Sequence, residues 1–156
     1  MWFGLAAALV VVALDQVTKA WILGFFAGHE GAPVAVVTPF FNLVLTGNRG
    51  MSFGLFNTNA AMNTVVFTVL AAVIVIALIA WLRRAHNSLI RLALGMIIGG
   101  AVGNVVDRLV RGAVVDFLDF HIGSWHWFAF NLADAAICLG VIALLLDGLL
   151  ARPKAA

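Results

Sequence analysis

The sequence predicts an all-α polytopic membrane protein with four transmembrane helices, and three observations carry that class. Of its 156 residues, 64% are hydrophobic and only 10% are charged, where a soluble domain has about 45–50% and about 25%. The apolar residues come in long blocks, not in the roughly ten-residue alternating strands of an outer-membrane barrel. At about 20 residues per span, the length accommodates four or five helices and short loops. A soluble single-core domain is thereby excluded, as is a disordered chain, which needs low hydrophobicity and high charge. The net charge of +2 is too small to imply nucleic acid as a partner. The single cysteine, Cys138, excludes an internal disulfide and a Cys-based zinc site, and in its apolar run it reads as a small buried hydrophobe.

The expected spans are 4–26, 62–82, 88–107 and 130–150, within one integral membrane domain covering residues 1–156. The first block is apolar apart from Asp15, Gln16, Thr18 and Lys19. No Lys or Arg precedes its apolar run and no clear small-residue cleavage site follows, so a retained helix is expected rather than a cleaved signal peptide. Gly50 to Leu82 carries no charge, which makes the second span the most secure. The third contains Gly95, Gly99 and Gly103 at i, i+4 and i+8, a smooth face on which another helix can pack closely. The fourth ends before Arg152, Pro153 and Lys154.

Two stretches between spans are not membrane helices. Residues 28–48 hold Pro33, Pro39 and the β-branched runs Val34–Val37 and Leu43–Thr46, which predict short strands. The stretch Leu109–Trp127 mixes Asp116, Asp119, His121 and His126 with Phe117, Phe120, Trp125 and Trp127, a clustering suited to a segment at the membrane surface. The 83–91 loop has three arginines and the tail has Arg152 and Lys154, whereas residues 27–60 and 109–128 carry only Arg49 and Arg111. The positive-inside rule therefore places both termini and the 83–91 loop in the cytoplasm.

On that topology the costly residues converge. Asp15 and Lys19 sit one turn apart in the outer half of helix 1. Asn104, Asp107 and Arg108 lie at the outer end of helix 3, and Asn131 and Asp134 at the outer start of helix 4. Ionisable groups within spans are expensive and by default mark a site. Simpler roles exist for most of them. Asp15 with Lys19 can pin a helix end, Asp107 and Arg108 can serve as structural support, and Asn131 can hydrogen-bond between helices. Asp134 is harder to dismiss, because no Lys or Arg lies within 17 residues of it. Its natural partner is Asp116, just before helix 4. Two carboxylates at one site cannot both ionise easily, so the pair would hold a general base and a general acid together. Asp119 is an equally available carboxylate, sharing a face with Asp116 only if the chain bends. Rival chemistries are weaker. His121 and His126 are five apart, off the i,i+4 spacing of a helical zinc pair, although with Asp116 and Asp119 they could ligate a metal in an irregular loop. Ser52 and Ser124 lie in no nucleophile-elbow sequence. A small proton-coupled membrane transporter is the alternative function, since intramembrane carboxylates also make proton relays.

Five blocks occur in one order: Asp15-Gln16-Val17-Thr18-Lys19, Asn48-Arg49-Gly50-Met51-Ser52-Phe53-Gly54, Gly99 through Arg108, Gly112-Ala113-Val114-Val115-Asp116-Phe117, and Phe130-Asn131-Leu132-Ala133-Asp134. In these the chain resembles the lipoprotein signal peptidases, the bacterial signal peptidase II family of aspartic membrane peptidases. The likeness runs from residue 15 to about 150. It departs at Met51-Ser52, where the family often has two alanines. The resemblance implies four transmembrane helices, cytoplasmic termini, a small extracytoplasmic β-cradle and a surface helix. It implies Asp116 and Asp134 as the catalytic pair, with Asp15, Lys19, Asn48, Gly50, Asn104, Arg108 and Asn131 at the substrate site. Asp107 and Gly103 are expected to give structural support. The implied reaction is cleavage of a diacylglyceryl-modified prolipoprotein before its lipidated cysteine, by a monomer in the bacterial inner membrane among membrane lipids. The active site would face the extracytoplasmic side, and neither a metal nor another cofactor is required.

Overall fold

The computed structural model describes residues 1–28, 34–49 and 60–150. Four long helices run through it: α1 (Trp2–Ala27), α2 (Ala60–Arg84), α3 (Ser88–Arg111) and α4 (Leu132–Leu150). All four are long and apolar enough to cross a membrane. Between them lie β1 (Val34–Thr38), β2 (Phe41–Asn48), β3 (Val114–Ile122) and the short β4 (Trp125–His126). These form one antiparallel sheet in the order β1-β2-β3-β4. Among the described residues these four are the only helices, and the surface helix implied by the resemblance has no counterpart there.

α3 is the hub and packs against each of the other helices. Lipid tails are as apolar as leucine, so close van der Waals contact, rather than apolar burial, must drive helix association. The glycine stripe of α3 supplies that contact against α1. A methyl group at Gly99 would sit 2.6 Å from the Ala8 carbonyl oxygen, one at Gly95 would strike the Gly4 carbonyl, and one at Gly103 would meet the Asp15 carboxylate. On its other side α3 presents Gly100 to the Ala133 carbonyl, while Gly140 of α4 approaches Ala93. Most large apolar side chains elsewhere on α1, α2 and α4, such as Val17, Val69, Ile76 and Leu145, are exposed, as lipid-facing positions must be. Cys138, read from sequence as buried, is one of these exposed positions. Its run is apolar because it faces lipid, not because it faces a core.

The stretch expected to lie at the membrane surface is mostly strand. α3 continues to Arg111, one turn beyond the expected span, and Gly112 ends it in the left-handed conformation (φ 75°). β3 then pairs along β2 with Asn48 opposite Val114, Thr46 opposite Asp116 and Phe41 opposite Phe120. Alternation along β3 sends Val115 and Phe117 against Ile22 and Phe26 at the end of α1. Each such side chain contributes about 1.5–3 kcal/mol when removed from water. Asp116 takes the opposite face, toward α3 and α4.

The small-residue packing predicts a matched contrast. Gly99→Val should lower the melting temperature in detergent by several degrees or prevent accumulation, because the Ala8 backbone has nowhere to retreat. Gly24→Ala, whose added methyl meets nothing within 4 Å, should be neutral or slightly stabilising, since alanine is favoured over glycine in helices by about 1 kcal/mol.

Candidate active site

Lys19 is fully buried, and its ammonium lies 2.8 Å from both Asp15 Oδ2 and Asp107 Oδ2, carboxylates that are fully buried as well. Arg111 pairs with the other oxygen of Asp107, and Gln16 donates to both Asp15 and Asp107 at 3.1 Å. Two cations and two carboxylates thus balance in a medium where an unpaired charge is prohibitive. The cluster also holds backbone in place. Asp15 Oδ1 accepts from the Ala133 N–H at 3.1 Å, and Asp107 Oδ2 accepts from the Val115 N–H at 3.0 Å. Ala133 and Val115 are the chain neighbours of Asp134 and Asp116.

From this base two asparagines reach the carboxylate pair. The Asn104 carbonyl oxygen accepts from Lys19 at 3.1 Å and from Asn131 at 3.2 Å, which turns its amide nitrogen onto Asp134 Oδ1 at 2.7 Å. The Asn131 carbonyl oxygen accepts from the Asp134 N–H at 3.0 Å, and its amide donates to Asp116 Oδ1 at 2.7 Å. Each amide is oriented by donors only a carbonyl oxygen can accept. Asn131 and Asp134 also form a reciprocal capping box at the start of α4, because Asp134 Oδ2 accepts from the Asn131 N–H at 3.3 Å. The sequence signal was present as Asn131-x-x-Asp134 before an apolar run, although from sequence Asn131 was read for contact between helices and, by the resemblance, for the substrate site, not as a cap.

The structure therefore brings Asp116 and Asp134 to one site, joined through Asn104 and Asn131. Asn48, at the end of β2, also hydrogen-bonds Asp116. Burial is the main influence lifting the Asp116 carboxyl to about 6, and the Asp134 charge adds to it. Hydrogen bonds from Asn48 and Asn131 and the Lys19 charge act in the opposite direction. Arg108 leans over the Phe67 ring of α2, its guanidinium carbon 5.5 Å from the ring centroid, within the field of Asp134, Asp116 and Asp107. Asp107, however, takes Lys19 and Arg111 as its ion partners. Asp15 and Lys19, expected at the substrate site, have no exposed surface and reach the aspartates through Asn104 and the Ala133 backbone. Gln16 and Arg111 belong to the cluster without having been singled out from sequence. Gly50 lies outside the described residues.

Side-chain alternation along β3 keeps Asp119 out of the pair. It sits on the opposite face from Asp116, where Asn42 donates to it at 2.9 Å and His126 Nδ1 lies 2.9 Å away. Burial pushes its carboxyl up, but the hydrogen bonds from Asn42 and His126, together with the charges of His126 and His121, outweigh it and leave the net shift downward. His121 stacks on His126 with ring centroids 4.9 Å apart. Among the described residues, no group of three or more His, Cys, Asp or Glu side chains is placed to hold a metal ion.

A family model described as signal peptidase (SPase) II matches residues 7–150. The chain belongs to the signal peptidase II family. A lipoprotein signal peptidase of Nitrobacter hamburgensis is 45% identical, covering 97% of this chain and 94% of that protein. One from Burkholderia mallei is 47% identical, covering 95% and 87%. Two solved structures of a bacterial membrane enzyme superpose with TM-scores of 0.78 and 0.77 at 26% and 29% identity. They cover 97% and 100% of this chain and 96% and 95% of theirs. Nothing supports the transporter alternative: Asp15, Lys19, Asp107, Arg108 and Asp134 gather at one end of this signal peptidase II bundle.

Two predictions follow from the geometry. Lys19→Met leaves two buried carboxylates without their shared cation, a loss of about 3–5 kcal/mol, so membrane abundance and melting temperature should both fall. For Asp116, the folded value of about 6 exceeds the unfolded value near 4. The folded protein then binds the extra proton, and the stabilisation is complete below about pH 4 and lost as pH rises through 6. The melting temperature of Asp116→Asn relative to wild type should therefore increase between pH 4.5 and pH 8. A flat difference would place that carboxyl at its ordinary value.

Proposed function

We propose that this signal peptidase II is an aspartic endopeptidase in which Asp116 and Asp134 act together, removing the signal peptide of a diacylglyceryl-modified prolipoprotein by hydrolysing the bond before the lipidated cysteine. The observation that carries this reading is the convergence of two carboxylates from different elements, β3 and α4, on the Asn104–Asn131 amide bridge.

One carboxylate of the pair, ionised, takes a proton from a water molecule as that water attacks the scissile carbonyl carbon. Its partner, protonated, donates to the carbonyl oxygen as negative charge develops there. Collapse of the tetrahedral intermediate breaks the C–N bond, and the proton taken from water passes to the leaving amine. Like charges held close share one proton, and the raised Asp116 value matches that need. The pair titrates as a unit, so both roles belong to the dyad.

In this reading Asn48, Asn104 and Asn131 hold the carboxylates in place, and Arg108 supplies positive charge beside them. Gly50 completes the substrate site, and Asp15, Lys19, Asp107 and Gly103 maintain its base. The arginine distribution argues for cytoplasmic termini and an active site on the extracytoplasmic side of the inner membrane. There a substrate's acyl chains stay among lipids while its peptide approaches from water. That arrangement replaces a three-dimensional search with one in the membrane plane.

Cleavage of a lipidated precursor peptide in detergent tests the proposal. Asp116→Asn and Asp134→Asn should each abolish most turnover while still accumulating in the membrane. The double variant should be scarcely worse than either single one, because the pair acts as a unit. The same peptide without its lipid should be cleaved poorly, and chelator should not inhibit. Substantial turnover by either single variant would refute the dyad.

A further inference from the structure

The face of β3 that carries Asp116 continues through Leu118, Phe120 and Ile122. Beyond Leu118 it opens into a concavity of about 510 Å³ lined by Phe40, Phe120, Ile122, Trp125, Trp127 and Phe130, with His121 as the polar lining side chain. Phe120 and Phe130 stack with centroids 6.0 Å apart, and Trp125 meets Trp127 edge-on at 5.8 Å. The rim is open, with Ile122 78% and Trp127 57% exposed. α4, one of the helices able to cross a membrane, starts at Leu132, two residues after Phe130 of the lining.

We propose that this concavity receives an acyl chain of the lipidated substrate while Asp116 and Asp134 engage the scissile bond; the inference rests on the signal peptidase II reading above. Three features select an acyl chain. The lining is almost wholly apolar, and the volume falls in the roughly 300–1,000 Å³ range of small-ligand sites, far more than one amino-acid side chain fills. Both edges of β3 here are taken, by Phe41 and Asn42 on one side and by His126 and Phe130 on the other. A peptide strand could not add to β3 there, whereas an acyl chain has no amides to satisfy. The reach also agrees. Asp116 and Phe120 are four residues apart on an extended strand, about 13 Å at ~3.3 Å per residue. The eight bonds from the scissile carbon through the thioether and glycerol to the first acyl carbonyl extend about 10 Å at ~1.25 Å of advance per bond, so the first acyl carbons come within reach of Phe120.

The test uses the full-length protein in detergent and two lipopeptides of one sequence, carrying palmitoyl or octanoyl chains. In Trp127→Ala and Phe120→Ala the KM for the palmitoyl peptide should rise about tenfold, because buried CH₂ groups lose their apolar contacts. The KM for the octanoyl peptide, whose shorter chain fills less of the concavity, should rise less, with kcat unchanged for both. A second readout needs no turnover. In Asp134→Asn, a lipopeptide brominated on its acyl chains should quench tryptophan fluorescence, and an additional Trp125→Phe, Trp127→Phe replacement should remove that quenching. Unlabelled lipopeptide should reverse it, and unlipidated peptide should not.

Equal KM changes for both chain lengths, or no quenching by the brominated lipopeptide, would overturn the proposal. So would competition by unlipidated peptide, which would make the concavity a peptide subsite, or equal quenching by brominated phospholipid that lipopeptide fails to displace, which would make it ordinary bilayer contact. If the wild type cleaves neither lipopeptide, the peptidase reading fails, and the quenching measurement still decides whether the chain binds there. If cleavage is normal and quenching absent, only the acyl site is lost.

Discussion

The structure depends on one buried cation. Lys19 has no route to water, and its ammonium is stable only because Asp15 and Asp107 meet it from two helices. Those same carboxylates accept the backbone N–H groups of Ala133 and Val115. The ion cluster therefore fixes the start of α4 and the start of β3, and with them the two residues that carry the chemistry. Removing one member of a buried cluster exposes the others to the full cost of desolvation, so this base is all-or-none. Rigid support of this kind suits a reaction in which small displacements of a catalytic group are expensive.

Above that base the site is built from amides rather than charges. Asn104 and Asn131 transmit orientation without adding a countercharge that would hold both aspartates ionised. A lysine or arginine bonded directly to Asp116 would favour its carboxylate form and remove the proton that a dyad has to share. Lys19 instead bonds the Asn104 carbonyl oxygen, and the Asn104 amide in turn bonds Asp134. Arg108 stands nearby against Phe67, contributing field without displacing either asparagine.

The sheet and the bundle divide the remaining work. Glycines on α3 let α1 approach until the Asp15 carboxylate lies against Gly103, so the packing that holds the helices together also closes the ion cluster. β3 uses its two faces for different purposes. Val115 and Phe117 anchor it to α1, and Asp116 is left facing α3 and α4. Farther along that second face, at Phe120, the strand borders an apolar concavity.

Much of this was legible in the chain itself. Long apolar blocks specify spanning helices because the bilayer demands that every backbone group be satisfied within the segment. The i+4 spacing of Gly95, Gly99 and Gly103 marks a helix contact, and isolated charges in apolar runs mark a shared site because nothing else offsets their cost. Ordered blocks such as Val-Val-Asp116-Phe pointed to the family. What the sequence left open was decided by contacts between residues far apart. The choice between Asp116 and Asp119 followed from β3 being an extended strand paired to β2, with partners some 70 residues away. The burial of Lys19 and its sharing between Asp15 and Asp107 required α1 and α3 to meet at a particular depth. The exposure of Cys138 was hidden because an apolar run reads the same whether it faces lipid or a core, and only packing against neighbouring helices distinguishes the two.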